Sequence, residues 1–160
     1  MITLKDIQAN PTFKTLIRRT NEYLSMLGYT EHGLRHVTYV STMTAYILET
    51  LGHDKRTVEL GAIAGYLHDI GNMHNRKHHG PTGANIVYYE LRRIGMPLEE
   101  ICDITIAIAN HEEEIGVPVT PITAALVIAD KSDAHRTRVG RVPCVDIHDR
   151  VNHAITDTSL

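Results

Sequence analysis

Apolar positions recur every three or four residues along most of the chain, the spacing of one face of an α-helix. The stretch 31–51 shows this well, because one face carries His36, Val40, Met43, Ile47 and Leu51. No segment alternates convincingly with the two-residue period of a strand. The pattern therefore predicts an all-α fold.

Gly and Pro residues divide the chain into successive helical patterns. They span residues 12–27, 31–51, 54–69, 80–94 (beginning around Pro81), 97–111, 120–136 and, weakly, 145–156. We therefore expect about six or seven helices in a single bundle-like domain over residues 1–160. The sequence stops at Leu160 without a clear closing signal, which leaves open that the protein continues into a further segment.

The composition argues against some classes of binding partner. The 160 residues are 42% apolar and 22% charged, with a net charge of −3, which argues against bulk binding to nucleic acid or to an anionic membrane. The N-terminus lacks a signal-peptide pattern, and the longest apolar runs are too short to cross a bilayer. The two cysteines have no paired spacing and fit free thiols. We expect a cytoplasmic protein; a homodimer remains open.

The unusual feature is a set of histidines and aspartates at the ends of apolar helical faces. His36 and His111 lie on inward faces, His68-Asp69 end the run "GAIAGYL", and Asp130 ends "ITAALVIA". A buried carboxylate is costly unless it is paired or bound to a metal. Taken singly, each residue fits a satisfied core histidine or a helix cap; taken together, they favour a metal centre inside a helical bundle.

Five motifs in order resemble the HD-domain superfamily of metal-dependent phosphohydrolases. These are "EHGLRHV", the doublet in "YLHDIGN", "HGPTGANI", "IANHEEEIG" and "IADKSD", which together span residues 31–133. The histidines of the third and fourth motifs, His79 and His111, resemble those of the two-metal branch. Asn72 departs from the pattern, since relatives often have lysine there, which bears on substrate contacts and not on the metals.

The resemblance implies a ligand set for two metals. The first would take His36, His68, Asp69 and Asp130, and the second would share Asp69 and add His79 and His111. A carboxylate has two oxygens and can span two cations. Mixed nitrogen and oxygen ligands suit divalent Mn, Fe, Co, Ni or Zn, and the sequence leaves the choice among them open.

Further residues near these motifs are candidates for catalysis and substrate binding. Asp69 and Lys131 are expected to act in catalysis, and the resemblance makes His32 a proton donor, or else a helix-start residue. Arg76, Lys77 and Arg136 are candidates for binding phosphate, because guanidinium and ammonium groups bind it well. Glu112 could orient His111, although a solvated helix end is the simpler interpretation of 112–114.

The expected function is hydrolysis of a phosphoester by a hydroxide that bridges the two metals. The substrate would be a nucleotide, a phosphodiester or a small phosphomonoester. Two alternatives remain at this stage. Some relatives with the same ligands hold two irons and oxidise a substrate with O₂, and a non-catalytic nucleotide-sensing module is the third interpretation.

Overall fold

The computed structural model of the chain describes residues 1–112, 114–135, 138, 154–156 and 158. Seven α-helices and one short 3₁₀ segment make up its regular structure, and the described residues include no strand. The helices are α1 (Leu4–Ala9), α2 (Pro11–Met26), α3 (Leu34–Thr50), α4 (Lys55–Leu67), α5 (His79–Arg93), α6 (Leu98–Ala109) and α7 (Pro121–Ser132), and the 3₁₀ segment is Ile70–Met73. The predicted all-α fold is confirmed.

Several helix ends follow from local side-chain chemistry. The side chains of Asn10, Asp54 and Thr120 accept hydrogen bonds from backbone N–H groups in the first turns of α2, α4 and α7. Gly28, Gly52 and Gly95 end α2, α3 and α5 with positive φ angles of 82°, 80° and 83°, which glycine adopts without steric cost.

The core lies where α4 meets α3, α6 and α7. Helix α4 packs on all three, and each residue from Leu60 to Leu67 is buried. Helix α5 packs against α6 and the 3₁₀ segment, and α2 closes the other side of that segment. As a result, the C-terminal end of α4, which carries the His68-Asp69 doublet, is enclosed from several directions.

The boundaries differ from the sequence-based prediction at three places. Helix α1 was not predicted, although Thr3 and Asp6 form a capping box that marks its start. Helix α3 begins only at Leu34, so His32 lies before the helix and not within its first turn. Helix α5 begins at His79, earlier than the predicted start around Pro81. The stretch 145–156, expected to be weakly helical, falls largely outside the described residues.

Among the described residues, every helix is too short or too polar to serve as a membrane span.

Candidate metal centre

Five helices bring the six predicted ligands together. His36 comes from α3, His68 caps the end of α4 with Asp69 beside it, and His79 opens α5. The remaining two are His111, just beyond α6, and Asp130 in the last turn of α7. The four histidines are at most 5% exposed and Asp69 is 4% exposed, so the cluster sits inside the bundle.

The four histidine rings are oriented in the same way: each turns Nδ1 towards an acceptor outside the cluster. Nδ1 of His36 lies 2.7 Å from Asp133 Oδ2, and Nδ1 of His68 lies 2.8 Å from the carbonyl oxygen of Gly65. For His79 the acceptor is the carbonyl oxygen of Arg76 at 3.0 Å, and for His111 that of Ile108 at 2.7 Å. These acceptors place the proton on Nδ1 and leave Nε2 free to bind a metal.

The Nε2 atoms converge on the two aspartates. His36 Nε2 lies 3.4 Å from Asp69 Oδ2 and 3.3 Å from Asp130 Oδ1. His68 Nε2 lies 3.2 Å and 3.6 Å from the same two oxygens. Two atoms each about 2.1 Å from a shared ion lie roughly 3.0–3.4 Å apart at octahedral or tetrahedral angles. The observed separations are close to that spacing.

His79 faces the other oxygen of Asp69, and His111 lies beside His79. His79 Nε2 lies 3.4 Å from Asp69 Oδ1 and 3.0 Å from His111 Nε2. With both protons on Nδ1, these two Nε2 atoms point lone pairs at each other, an unfavourable contact unless a cation lies between them. Asp69 thus presents Oδ2 to His36 and His68, and Oδ1 to His79.

Three buried polar atoms in this cluster have no hydrogen-bond partner among the described residues: His36 Nε2, His68 Nε2 and Asp69 Oδ2. Leaving such atoms unsatisfied is costly, and a metal ion satisfies them. The residues therefore fit a metal. Within the described part of the chain, two overlapping groups of ligand atoms are close enough to hold an ion, His36–His68–Asp130 and His68–Asp69–His111.

Electrostatics in the cluster favour positive charge between the aspartates. Burial lowers the pKa of His36 and His68, but the neighbouring carboxylates outweigh it and raise these pKa values to about 9 and about 10. Burial lowers the pKa of His111 to about 3. Without a metal, His36 and His68 would therefore each carry a second ring proton and a positive charge. A divalent cation supplies positive charge at the same place.

Asp133 was quoted within a motif but not predicted as a functional residue. Its carboxylate accepts from His36 Nδ1 and from two guanidinium nitrogens of Arg35, at 3.0 Å and 2.8 Å. Burial raises the pKa of Asp133, but the hydrogen bonds from His36 and Arg35 hold it well below its usual range. Asp133 therefore stays ionised and orients the His36 ring.

Glu112 contacts a different histidine from the one considered in the sequence. It was weighed as a partner of His111, or as part of a solvated helix end. In the structure Glu112 Oε2 lies 3.2 Å from Nδ1 of His79, and Oε1 accepts from the backbone N–H of Gly80 at 2.6 Å. Glu112 therefore anchors the first turn of α5 and the ring of His79.

His32 is buried beside the cluster, with its ring centroid 5.4 Å from that of His36. Its Nδ1 lies 2.5 Å from the carbonyl oxygen of Thr30, and its Nε2 faces a guanidinium nitrogen of Arg138 at 3.4 Å. Burial lowers the pKa of His32 to about 3. The ring is therefore neutral, with Nε2 as an acceptor, and the predicted proton-donor role stays untested.

Arg138, one of the basic residues that follow Asp130 in the sequence, is a buried cation. It donates to the carbonyl oxygens of Asp133, at 2.9 Å, and Glu31, at 3.2 Å. Its own carbonyl oxygen accepts from the N–H of Glu31 at 2.8 Å. Arg138 therefore fastens the segment after α7 to the loop that carries His32.

The other predicted cations have different positions. Lys131 Nζ lies 3.4 Å from Asp130 Oδ2, directly beside the cluster. Arg76 is half-buried and donates to Asn72 Oδ1 at 3.1 Å. Lys77 is exposed in the same loop, and the described contacts do not join its side chain to the cluster. Arg136 lies outside the described residues.

Comparison with known proteins bears on this arrangement. The sequence model of the HD domain matches residues 33–137, the segment that holds all six predicted ligands. The chain belongs to the HD domain family. No curated protein matches it.

A solved structure supports the fold of this HD domain. It is a crystal structure of a predicted HD superfamily hydrolase from an uncultured Thermotogales bacterium. The two chains are 21% identical with a TM-score of 0.61, and the match covers 78% of this chain and 67% of the other. At that identity the similarity supports the fold alone.

Proposed function

We propose that this HD domain is a metal-dependent phosphohydrolase that holds two divalent transition-metal ions. The observation that carries the proposal is the set of four buried Nε2 atoms, each oriented by an acceptor on Nδ1, around the two oxygens of Asp69. His36, His68 and Asp130 would complete one site, and His79 and His111 the other. Mn, Fe, Co, Ni and Zn all suit these ligands.

The surroundings of the centre suit an anionic substrate. Divalent ions supply Lewis acidity in such a centre: they activate water at neutral pH and offset charge on phosphoryl oxygens. Lys131 and Arg76 add positive charge at two sides of the cluster. Lys131 would neutralise charge near Asp130, and Arg76 would bind phosphoryl oxygens. A nucleotide, a phosphodiester or a small phosphomonoester meets this requirement.

The test separates hydrolysis from the two alternatives. The protein is loaded with Mn²⁺ under strict exclusion of O₂ and assayed with nucleotides and a chromogenic phosphodiester, with Asp69→Ala as the control. Elemental analysis gives the metal count. We expect the parent to hold two ions per chain and to turn over substrate without O₂. Asp69→Ala should lose both the ions and the turnover.

Other outcomes would overturn the proposal. An iron-loaded protein that consumes O₂ with an organic substrate, but cleaves no phosphoester, would identify an oxygenase. Nucleotide binding without any turnover would identify a sensing module.

A further inference from the structure

Asn72 lies three residues after Asp69, is fully buried and uses both ends of its side-chain amide. Its Nδ2 donates to Asp69 Oδ1 at 2.7 Å and to the carbonyl oxygen of Asp69 at 3.1 Å. Its Oδ1 accepts from Arg76 Nη1 at 3.1 Å. One short side chain therefore joins a predicted metal-bridging carboxylate to a cation.

Arg76 is itself fixed at both ends. Its carbonyl oxygen accepts from Nδ1 of His79, so its backbone is tied to a predicted ligand. Its guanidinium carbon lies 5.8 Å from the centroid of the Tyr29 ring, within the range of a cation–π contact. With Asn72 at one nitrogen and Tyr29 beneath the plane, the guanidinium has little freedom to turn.

The guanidinium of Arg76 lies one side chain away from Asp69, because Asn72 contacts both of them. A guanidinium has five N–H donors, and the hydrogen bonds within the described part of the chain occupy one of them. The others remain to bind an anion in the planar, two-pronged manner that suits phosphoryl oxygens.

We propose that Asn72 and Arg76 act as one unit, in which Asn72 positions both the Asp69 carboxylate and the Arg76 guanidinium, and Arg76 binds the phosphoryl oxygens of the substrate. Asn72 is a positioning residue here, since it acts on the substrate through Asp69 and Arg76 and does not contact it. The inference rests on the proposed phosphohydrolase function and adds what holds the phosphate-binding cation in place beside Asp69.

The test measures binding and not turnover. Parent, Asn72→Ser, Arg76→Ala and the double variant are compared for Mn²⁺ affinity, by competition with a chelating dye. Affinity for inorganic phosphate is then measured by calorimetry at Mn²⁺ concentrations that saturate every variant. Arg93→Ala is the matched control, because Arg93 is an exposed arginine about 20 Å along α5 from His79.

We expect Arg76→Ala to bind phosphate about 10- to 100-fold more weakly, the loss of a charged hydrogen bond, with Mn²⁺ affinity unchanged. Asn72→Ser should lose about 10- to 100-fold in Mn²⁺ affinity, because Asp69 loses its donor. It should also weaken phosphate binding. The double variant should bind phosphate no more weakly than Arg76→Ala, since Asn72 acts on phosphate through Arg76.

Three results would overturn the inference: Arg76→Ala binding phosphate like Arg93→Ala, additive phosphate losses in the double variant, or parental Mn²⁺ affinity in Asn72→Ser. If Asn72→Ser does not fold, Arg76→Ala against Arg93→Ala still decides whether Arg76 binds phosphate. A protein that cleaves no phosphoester but shows these affinities would refute the proposed function and leave the coupling intact.

Discussion

At the scale of single residues, the ring orientations matter most. A histidine can present either nitrogen to a metal, and the choice depends on what the other nitrogen contacts. Here the partners differ in kind: His36 has a carboxylate, His68 and His111 have backbone carbonyl oxygens, and His79 has a carbonyl oxygen with Glu112 nearby. The loss of metal affinity on removing one of these partners should therefore depend on whether a second acceptor remains for Nδ1.

The first prediction compares the two carboxylates that contact these rings. Asp133→Ala should lower metal affinity about 10- to 100-fold, because His36 Nδ1 loses its acceptor. Glu112→Ala should lower it less, because Nδ1 of His79 keeps the carbonyl oxygen of Arg76 at 3.0 Å. Chelator competition measures both affinities. Equal losses in the two variants would show that ring orientation does not set affinity.

The sequence predicted the candidate ligands but not the residues that orient them. The ligands stand out because each is a polar residue at the end of an apolar face. Asp133 is 97 positions away from His36, and Arg138 is 106 away from His32, so their contacts exist only in the folded chain. Asn72 was read as a departure from a motif, and only its two hydrogen-bond partners reveal what it does.

At the scale of helices, close backbone contact fixes the start of α5 against the 3₁₀ segment that follows α4. A Cβ atom at Gly71 would overlap the carbonyl oxygen of His79 and meet the backbone nitrogen of Gly83 at 2.5 Å. Backbone atoms cannot swing aside as a side chain does. His79 therefore reaches the cluster because residue 71 has no side chain.

The second prediction follows from this contact. Gly71→Ala should lower the free energy of unfolding by about 3 kcal/mol or more, the upper range for overpacking, and should weaken metal binding by displacing His79. Gly61→Ala is the matched control on α4, since its new methyl would meet the movable end of Leu48. Urea unfolding measures both. A Gly61→Ala variant less stable than Gly71→Ala would contradict the argument.

The third prediction concerns the ion pair that joins α4 to α6. Arg56 donates two hydrogen bonds to Glu100 at 2.8 Å and 2.5 Å, and a third to the carbonyl oxygen of Ile2 at 3.0 Å. The hydrogen bond from Arg56 lowers the pKa of Glu100. A carboxylate with a lowered pKa stabilises the fold above its unfolded pKa of about 4.3 and loses that effect as pH falls through the folded value.

The difference in unfolding free energy between the parent and Glu100→Gln should therefore be largest near neutral pH and shrink as pH falls below about 4. Urea unfolding of both proteins across this range provides the measurement, and subtracting the variant removes the contribution of the other carboxylates. A difference that stays constant down to the acid limit of folding would show that the ion pair does not stabilise the fold.

Helix existence was easier to predict than helix ends. The apolar repeat places α2 to α7 because each of them buries a face. Helix α1 has only six residues and one fully buried side chain, Ile7, which is too short for a repeat to register. The first five residues of α5 include two glycines and a proline, residues that do not usually extend a helix, so the repeat predicted its start too late.

At the scale of the whole molecule, the domain encloses acidic groups that it must neutralise. Asp69 lies among four buried imidazoles, and Asp130 joins from α7. A ligand that binds only the folded state raises its stability by mass action.

The fourth prediction is that metal loading stabilises the fold. With free Mn²⁺ at 100 times its dissociation constant, the free energy of unfolding should rise by about 2.7 kcal/mol for each occupied site. Asp69→Ala should show no such rise, since it lacks the carboxylate that both groups of histidines face. Urea unfolding with Mn²⁺ and with chelator gives the two values. Identical midpoints for the parent in both conditions would contradict a metal centre.

The collection of ligands from five separate helices has a consequence for the order of folding. His36 Nε2 and Asp130 Oδ1 lie 3.3 Å apart, yet most of the chain separates these two residues in sequence. Contacts between distant segments carry a high loop-closure cost and form late. An ion at the proposed site that includes Asp130 therefore could not nucleate the fold, because His36 and Asp130 meet only when α7 docks. During refolding, capture of an ion at that site would then mark the moment at which α7 reaches its place.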